Sequence, residues 1–170
     1  MLISVSVLYG FCLVVIVHHT FCRSKQRIRT GSRVKGRVID VIDANTFVIV
    51  RRGQRYLIML AGLKPPRRGL RWYDVASWAL VGKLLGRKVV VVVERVGPTG
   101  FIIGRVRCGK QNISHEMISE GHGRAAKTSP IDFSLFKLER EARRQAIGIW
   151  KDDEATKASS DRRYRGYRDR

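Results

Sequence analysis

From Val34 onward the chain breaks into short runs dense in β-branched residues: VKGRVIDVID, TFVIV, RYLIMLAG, KVVVVVERV and FIIGRVR. Runs of this length bounded by Gly, Asp and Asn read as five strands. The DANT tetrapeptide between the first two suits a tight turn, because Asp and Asn side chains hydrogen-bond their own backbone. RRGQR supplies a glycine-centred turn to the third. The domain therefore opens with a three-stranded meander. So few short strands must close on themselves or be covered, since open edges invite unwanted pairing.

The cover is also legible. Trp72, Val75, Ala76, Ala79, Leu80 and Leu84 recur at helical spacing in RWYDVASWALVGKLLG, predicting an amphipathic helix that ends at Gly86 and plugs one end of a barrel. After the fifth strand, SHEMISEGHG predicts a short helix with Ser114 as its cap. SPIDFSLFKLEREARRQAIGIW predicts a last helix, with Ser129 as cap, Pro130 in first position and Asp132 completing a capping-box-like pattern. Leu135, Leu138, Ala142, Ala146 and Ile149 share its apolar face, and Trp150 closes it. The expected fold is α+β: an OB-like five-stranded β-barrel with three helices.

At 170 residues and 44% hydrophobic content, the chain has enough apolar surface for one packed domain. Lysine and arginine number 34 against 14 acids, a net charge of +20, which points to anionic partners such as nucleic acid, lipid headgroups or acidic proteins. The cysteines are Cys12, Cys22 and Cys108; with one in the globular part, no disulfide framework forms there, and Cys108 is expected to be inert packing. Residues 154–170 have no apolar period and are expected to be a disordered charged tail. Tyr164, Tyr167 and the tail's arginines suit stacking on single-stranded RNA, with a solvated end as the plainer expectation.

Residues 1–22 carry no charge, close to the minimum of about 17–25 residues for crossing a bilayer. There is no positive n-region and no small-residue cleavage site, so a retained single transmembrane helix is expected rather than a cleaved signal. The following basic stretch holds Arg23, Lys25, Arg27, Arg29, Arg33, Lys35 and Arg37 without an acid. By the positive-inside rule it keeps the domain on the cytoplasmic-equivalent side. The expected organisation is anchor 1–22, basic juxtamembrane linker 23–33, domain 34–153 and tail 154–170.

Four segments resemble the staphylococcal nuclease-like (thermonuclease-like) family. VIDVIDANTFVI is similar to that family's VxDGDT opening, and LIMLAGLKPP to its RLAGIDAPE segment. NISHEMISEGHGRA resembles NVNEELVREGLARA, and EREARRQAIGIW resembles EAEARAARRGLW. The resemblance implies a phosphodiesterase site with carboxylates holding one Ca²⁺, a glutamate activating water and two arginines neutralising the phosphate. On this chain the matching positions are Asn45 for a metal-binding Asp, Met59 for the first Arg, Lys64 for the second metal-binding Asp, Arg67 for the general base and Phe101 for the second Arg. Asp43 keeps the family's first turn aspartate. Losing one such group typically costs about 10²- to 10⁴-fold, so a degenerate site without nuclease activity is expected.

What the resemblance then implies is a binding or scaffold module needing no cofactor. Lys64, Arg67, Arg68 and Arg71 would form an anion-binding cleft for lipid headgroups, proteins or nucleic acid. An anchor followed by a divergent domain of this kind also resembles animal mitochondrial membrane proteins implicated in membrane organisation, which would imply the inner membrane and its proteins as partners. Two alternatives stand beside this. One is a membrane-tethered, Ca²⁺-dependent nuclease with a rearranged site around Asp40, Asp43 and Asp74; the other is a non-catalytic RNA- or DNA-binding module.

Overall fold

A computed structural model describes residues 28–128 and 130–152. Alternation along the β-branched runs places one face of each strand inward: β1 (Arg33–Val41), β2 (Thr46–Arg51) and β3 (Gln54–Leu60) bury Val34, Val38, Phe47, Ile49, Ile58 and Leu60. The strands form an antiparallel meander. The β1–β2 turn is an Asx-type turn in which Asp43 Oδ1 accepts the Asn45 N–H at 2.9 Å. The β2–β3 hairpin turns on Arg52 and Gly53, with φ of 50° and 78°, matching a twisted two-residue loop.

β5 (Lys88–Val96) returns to pair antiparallel with β1, and β6 (Ile102–Cys108) pairs antiparallel with β5. β6 then pairs parallel with β3, Met59 opposite Ile103, which closes a five-stranded barrel. Val89, Val91, Val93, Ile102 and Val106 complete its interior. Full burial of each such side chain stabilises the fold by about 1.5–3 kcal/mol. Two-residue strands add local ties: β7 (Gln111–Asn112) extends β6, while β4 (Leu63–Lys64) pairs with β8 (Arg124–Ala125).

Helix α1 (Arg71–Leu84) buries Ala76, Leu80 and Leu84, one side chain per turn. Its end is stitched to β1, Gly86 N–H donating to Val38 O and Val38 N–H to Arg87 O. The expected Val75 lies outside that buried stripe; with Trp78, which is 72% exposed, it forms an outward apolar face. Helix α2 (Ile113–Ser119) is capped by Asn112, not Ser114: Asn112 Oδ1 accepts from the N–H groups of Ser114 and His115. Ser114 is drawn instead into a tertiary bond, its hydroxyl donating to Ala61 O at 2.8 Å.

Helix α3 (Phe133–Arg144) is capped by Asp132, whose carboxylate accepts the Ser134 N–H, so the start expected at Ser129–Pro130 moves inward. Leu135 and Ala142 are buried, but the helix stops before Ala146, which adopts φ 50° and begins the turn that carries Trp150 into the core. Arg33, expected to end the linker, opens β1, the strand that also carries Lys35 and Arg37. The expected anchor and tail, with Arg23, Lys25 and Arg27, lie outside the described residues. Among the described residues no helix is long and apolar enough to cross a membrane.

Candidate anion-binding site

The β1–β2 turn brings Asn45 against the end of β3. Its carbonyl accepts the Leu60 N–H at 2.9 Å, its Oδ1 accepts the Thr46 hydroxyl at 2.9 Å, and its Nδ2 donates to Leu63 O at 3.2 Å. The amide thus pins the turn to β4, a job that needs a donor a carboxylate lacks. Met59, half-buried, sits between Thr46 and Ile103 in one cross-strand row. Lys64 follows Leu63 and is exposed. Phe101 is not at this corner: its ring lies on Gly97 of the β5–β6 hairpin, where any Cβ would collide with it.

Calcium takes about 6–8 oxygen ligands at 2.3–2.6 Å, mostly carboxylate and carbonyl. The Asn45 amide is committed to neighbours, and Lys64 brings an ammonium rather than an oxygen ligand. Asp40, Asp43 and Asp74 stand on β1, in the turn and in the first turn of α1, and they form no cluster. Among the described residues no group of three or more His, Cys, Asp or Glu side chains is placed to hold a metal.

Lys64, Arg67 and Arg71 do come together. They line an open groove of about 600 Å³ whose floor includes Pro65, Pro66, Leu70, Trp72 and Ile149. A fourth cation, Arg124, arrives because β8 pairs with β4, setting Arg124 opposite Lys64. Among the described residues the groove has one acid, Asp152, which accepts the Trp72 indole N–H at 2.6 Å and lies 3.6 Å from Arg71. That ion pair is exposed on both sides and worth little, so the groove stays net positive. Arg68 leaves the expected cluster: its Nε donates to the Tyr73 hydroxyl at 3.4 Å, with the guanidinium over that ring.

Trp72 lines the groove, whereas Trp150 is fully buried. Arg71 lies 5.2 Å from the Trp72 ring centroid, while Arg124 and Arg143 stand 4.6 and 5.1 Å from that of Trp150. Such stacking holds guanidinium planes without neutralising them. Arg124 went unassigned from sequence, although it sits inside the NISHEMISEGHGRA segment.

Two other polar clusters serve the fold. His115 Nε2 lies 3.1 Å from Asp132 and 3.2 Å from the Ser134 hydroxyl. Both partners use the same ring nitrogen, so the group is a cap network and not a nucleophile relay, which needs one partner on each nitrogen. The Ser134 and His115 hydrogen bonds hold the Asp132 carboxyl below its ordinary range. Across the α1–α2 contact, Lys83 bonds Glu116 and Glu120, and Glu120 also meets His122 at 3.4 Å.

Burial pushes the His122 imidazole below its ordinary value of 6.5, more than Glu120 can restore. Between those two values the unfolded chain binds the extra proton and the folded chain does not. Stability is therefore expected to be full above about pH 6.5 and to decline as pH falls toward the folded-state value. Urea midpoints measured across that window should fall with acidification, and less so for His122→Asn; an identical slope in the variant would assign the effect elsewhere.

Comparison with known proteins supports the fold. Residues 58–152 match the family model described as staphylococcal nuclease homologue. The chain is 27% identical over 132 residues to a micrococcal nuclease of Shigella flexneri, covering 71% of this chain and 76% of that protein. It is 26% identical over 140 residues to the protein ParB of Escherichia coli, covering 73% and 76%. It is 27% identical over 97 residues to the probable staphylococcal-like nuclease CAN2 of Oryza sativa subsp. japonica, covering 57% of this chain and 26% of that longer protein.

Proposed function

Because this chain belongs to the staphylococcal nuclease homologue family, we propose that it retains the family's interest in phosphodiesters while binding them without hydrolysis. The observation that carries this reading is the groove itself: Lys64, Arg67, Arg71 and Arg124 line it beside the Trp72 indole and, among the described residues, one acid, Asp152. Cations neutralise backbone phosphates, and aromatic faces accept bases of any sequence. Lys64 and Arg67 occupy positions where metal binding and water activation call for carboxylates, and neither side chain carries an oxygen. Residues 2–22, uncharged, serve as a membrane anchor in this reading. The domain then stands on the cytoplasmic-equivalent side as a scaffold, with a role in organising a membrane such as the mitochondrial inner one.

The test uses the full chain in detergent with single-stranded DNA and RNA, with Ca²⁺ and with chelator. Binding should survive chelator. Four phosphate contacts to a single strand give a log–log salt slope near about −2.8, so affinity should drop about 50-fold between 50 and 200 mM salt. Lys64→Ala should flatten that slope by about 0.7. Calcium-dependent cleavage abolished by chelator would overturn the reading in favour of a tethered nuclease.

A further inference from the structure

The barrel wall opposite the core carries a second basic surface, distinct from the groove. Arg33, Lys35 and Arg37 alternate with buried Val34 and Val38 along β1, so all three point outward. Directly opposed residues on neighbouring strands share a face. The register therefore builds three rows: Arg33, Val92 and Arg105; Lys35, Val90 and Arg107; and Arg37 beside Lys88. Arg37 donates to Gly86 O at 2.7 Å and Arg107 to Lys110 O at 3.1 Å, bonds that fix the guanidinium groups without cancelling their charge. Arg105 meets Glu94, an opposing charge beside the rows, at 3.2 Å. The strand segments 33–37, 88–92 and 105–107 contain no acid and no aromatic residue.

We propose that this face of β1, β5 and β6 docks on the headgroups of an anionic bilayer. Six cations spaced over three strands complement a negatively charged plane. Valines between them offer nothing for bases to stack on, which sets the face apart from a single-strand nucleic-acid platform. Chain continuity supplies the third argument. Arg33 opens β1 only eleven residues after the end of the uncharged 1–22 segment, and Arg23, Lys25, Arg27 and Arg29 lie between. Fully extended, that stretch reaches about 40 Å, so a face joined to an inserted segment stays close to the lipid surface. The inference rests on the reading of residues 2–22 as a membrane anchor.

Amine acetylation of the full chain, read residue by residue, tests it. The chain is reconstituted in vesicles of phosphatidylcholine alone or of phosphatidylcholine with phosphatidylserine, and flotation is checked first. Lys35 and Lys88 should react about fivefold more slowly in the anionic vesicles, with the protection lost at high salt. Exposed Lys127 and Lys137 should be unaffected. Failure to float with either vesicle removes the anchor and the proposal together. Flotation with equal labelling of Lys35 and Lys88 in both lipids overturns the docking face alone. Protection of these lysines by oligonucleotides and not by lipid assigns the face to nucleic acid and likewise overturns it. Lys64 in the same samples reports on the groove, keeping the two surfaces separate.

Discussion

Trp150→Ala is expected to destabilise the domain by about 3–5 kcal/mol, the cost of emptying a large aromatic site in a core that cannot fully collapse. The ring is fully buried. It packs beneath Arg124 and Arg143, whose guanidinium groups lie 4.6 and 5.1 Å from its centroid, so its loss also removes the platform that positions a groove cation. Its indole N–H is buried without a hydrogen-bond partner, which means that burial and stacking hold the side chain and hydrogen bonding does not. Trp150→Phe keeps a ring and removes the orphaned donor, so it should cost much less, about 1 kcal/mol. Thermal unfolding separates the two: a fall on the order of 10–20 °C for alanine and a few degrees for phenylalanine. Equal losses would show that the indole nitrogen matters after all, and a small loss for both would show that the site collapses.

How far the sequence foretold this arrangement differs by element, and the differences have physical causes. β1 alternates apolar with polar residues over RVKGRV, so its inward face can be read directly, whereas the apolar runs FVIV of β2 and YLIML of β3 do not show which face turns inward. KVVVVVERV likewise does not alternate in polarity; its strand character is plain, but only the pairing with β1 and the burial of Val89, Val91 and Val93 settle which face turns inward. The start of α2 is misread because several residues near it can cap and a tertiary bond decides among them: Ala61 O takes the Ser114 hydroxyl, leaving Asn112 to cap α2. The end of α3 is closed by local backbone bonds, Ala146 N–H donating to Arg143 O and Ile147 N–H to Ala142 O, which apolar periodicity does not register.

At the site, Lys64, Arg67 and Arg71 were legible together because one short loop joins them to the start of α1. Arg124 was not, since strand pairing across the fold brings it opposite Lys64. Arg68 was lost to a local partner, Tyr73, five residues on and within reach of its guanidinium. Phe101 was expected at the site from alignment with a family motif, which fixes a backbone position but not a rotamer. The absence of an aligned acid at Asn45 is now joined by a positive reason for an amide there, the donor it provides to Leu63 O.

Gly148→Ala is expected to cost about 2–5 kcal/mol, comparable to the loss of Trp150, although the change adds only one methyl group. Two penalties combine. Gly148 adopts φ 58°, a left-handed conformation that costs an L side chain about 1–2 kcal/mol. A Cβ there would also lie 2.2 Å from Gly121 O, and Gly121 sits equally close, its own Cβ position 2.3 Å from Ile147 O. Both obstacles are backbone, so relief requires the chain itself to move, typically about 1–3 kcal/mol more. The close approach lets Ile149 N–H donate to Gly121 O at 3.0 Å, tying the end of α2 to the turn after α3. That tie delivers Trp150 to the core and Ile149 to the groove floor. Gly148→Ala should therefore weaken oligonucleotide binding as well as stability, whereas Gly82→Ala, on the open outer face of α1, should be neutral or stabilise by up to about 1 kcal/mol. Comparable unfolding midpoints for the two alanine variants would mean that the backbone contact is not what seats the tryptophan.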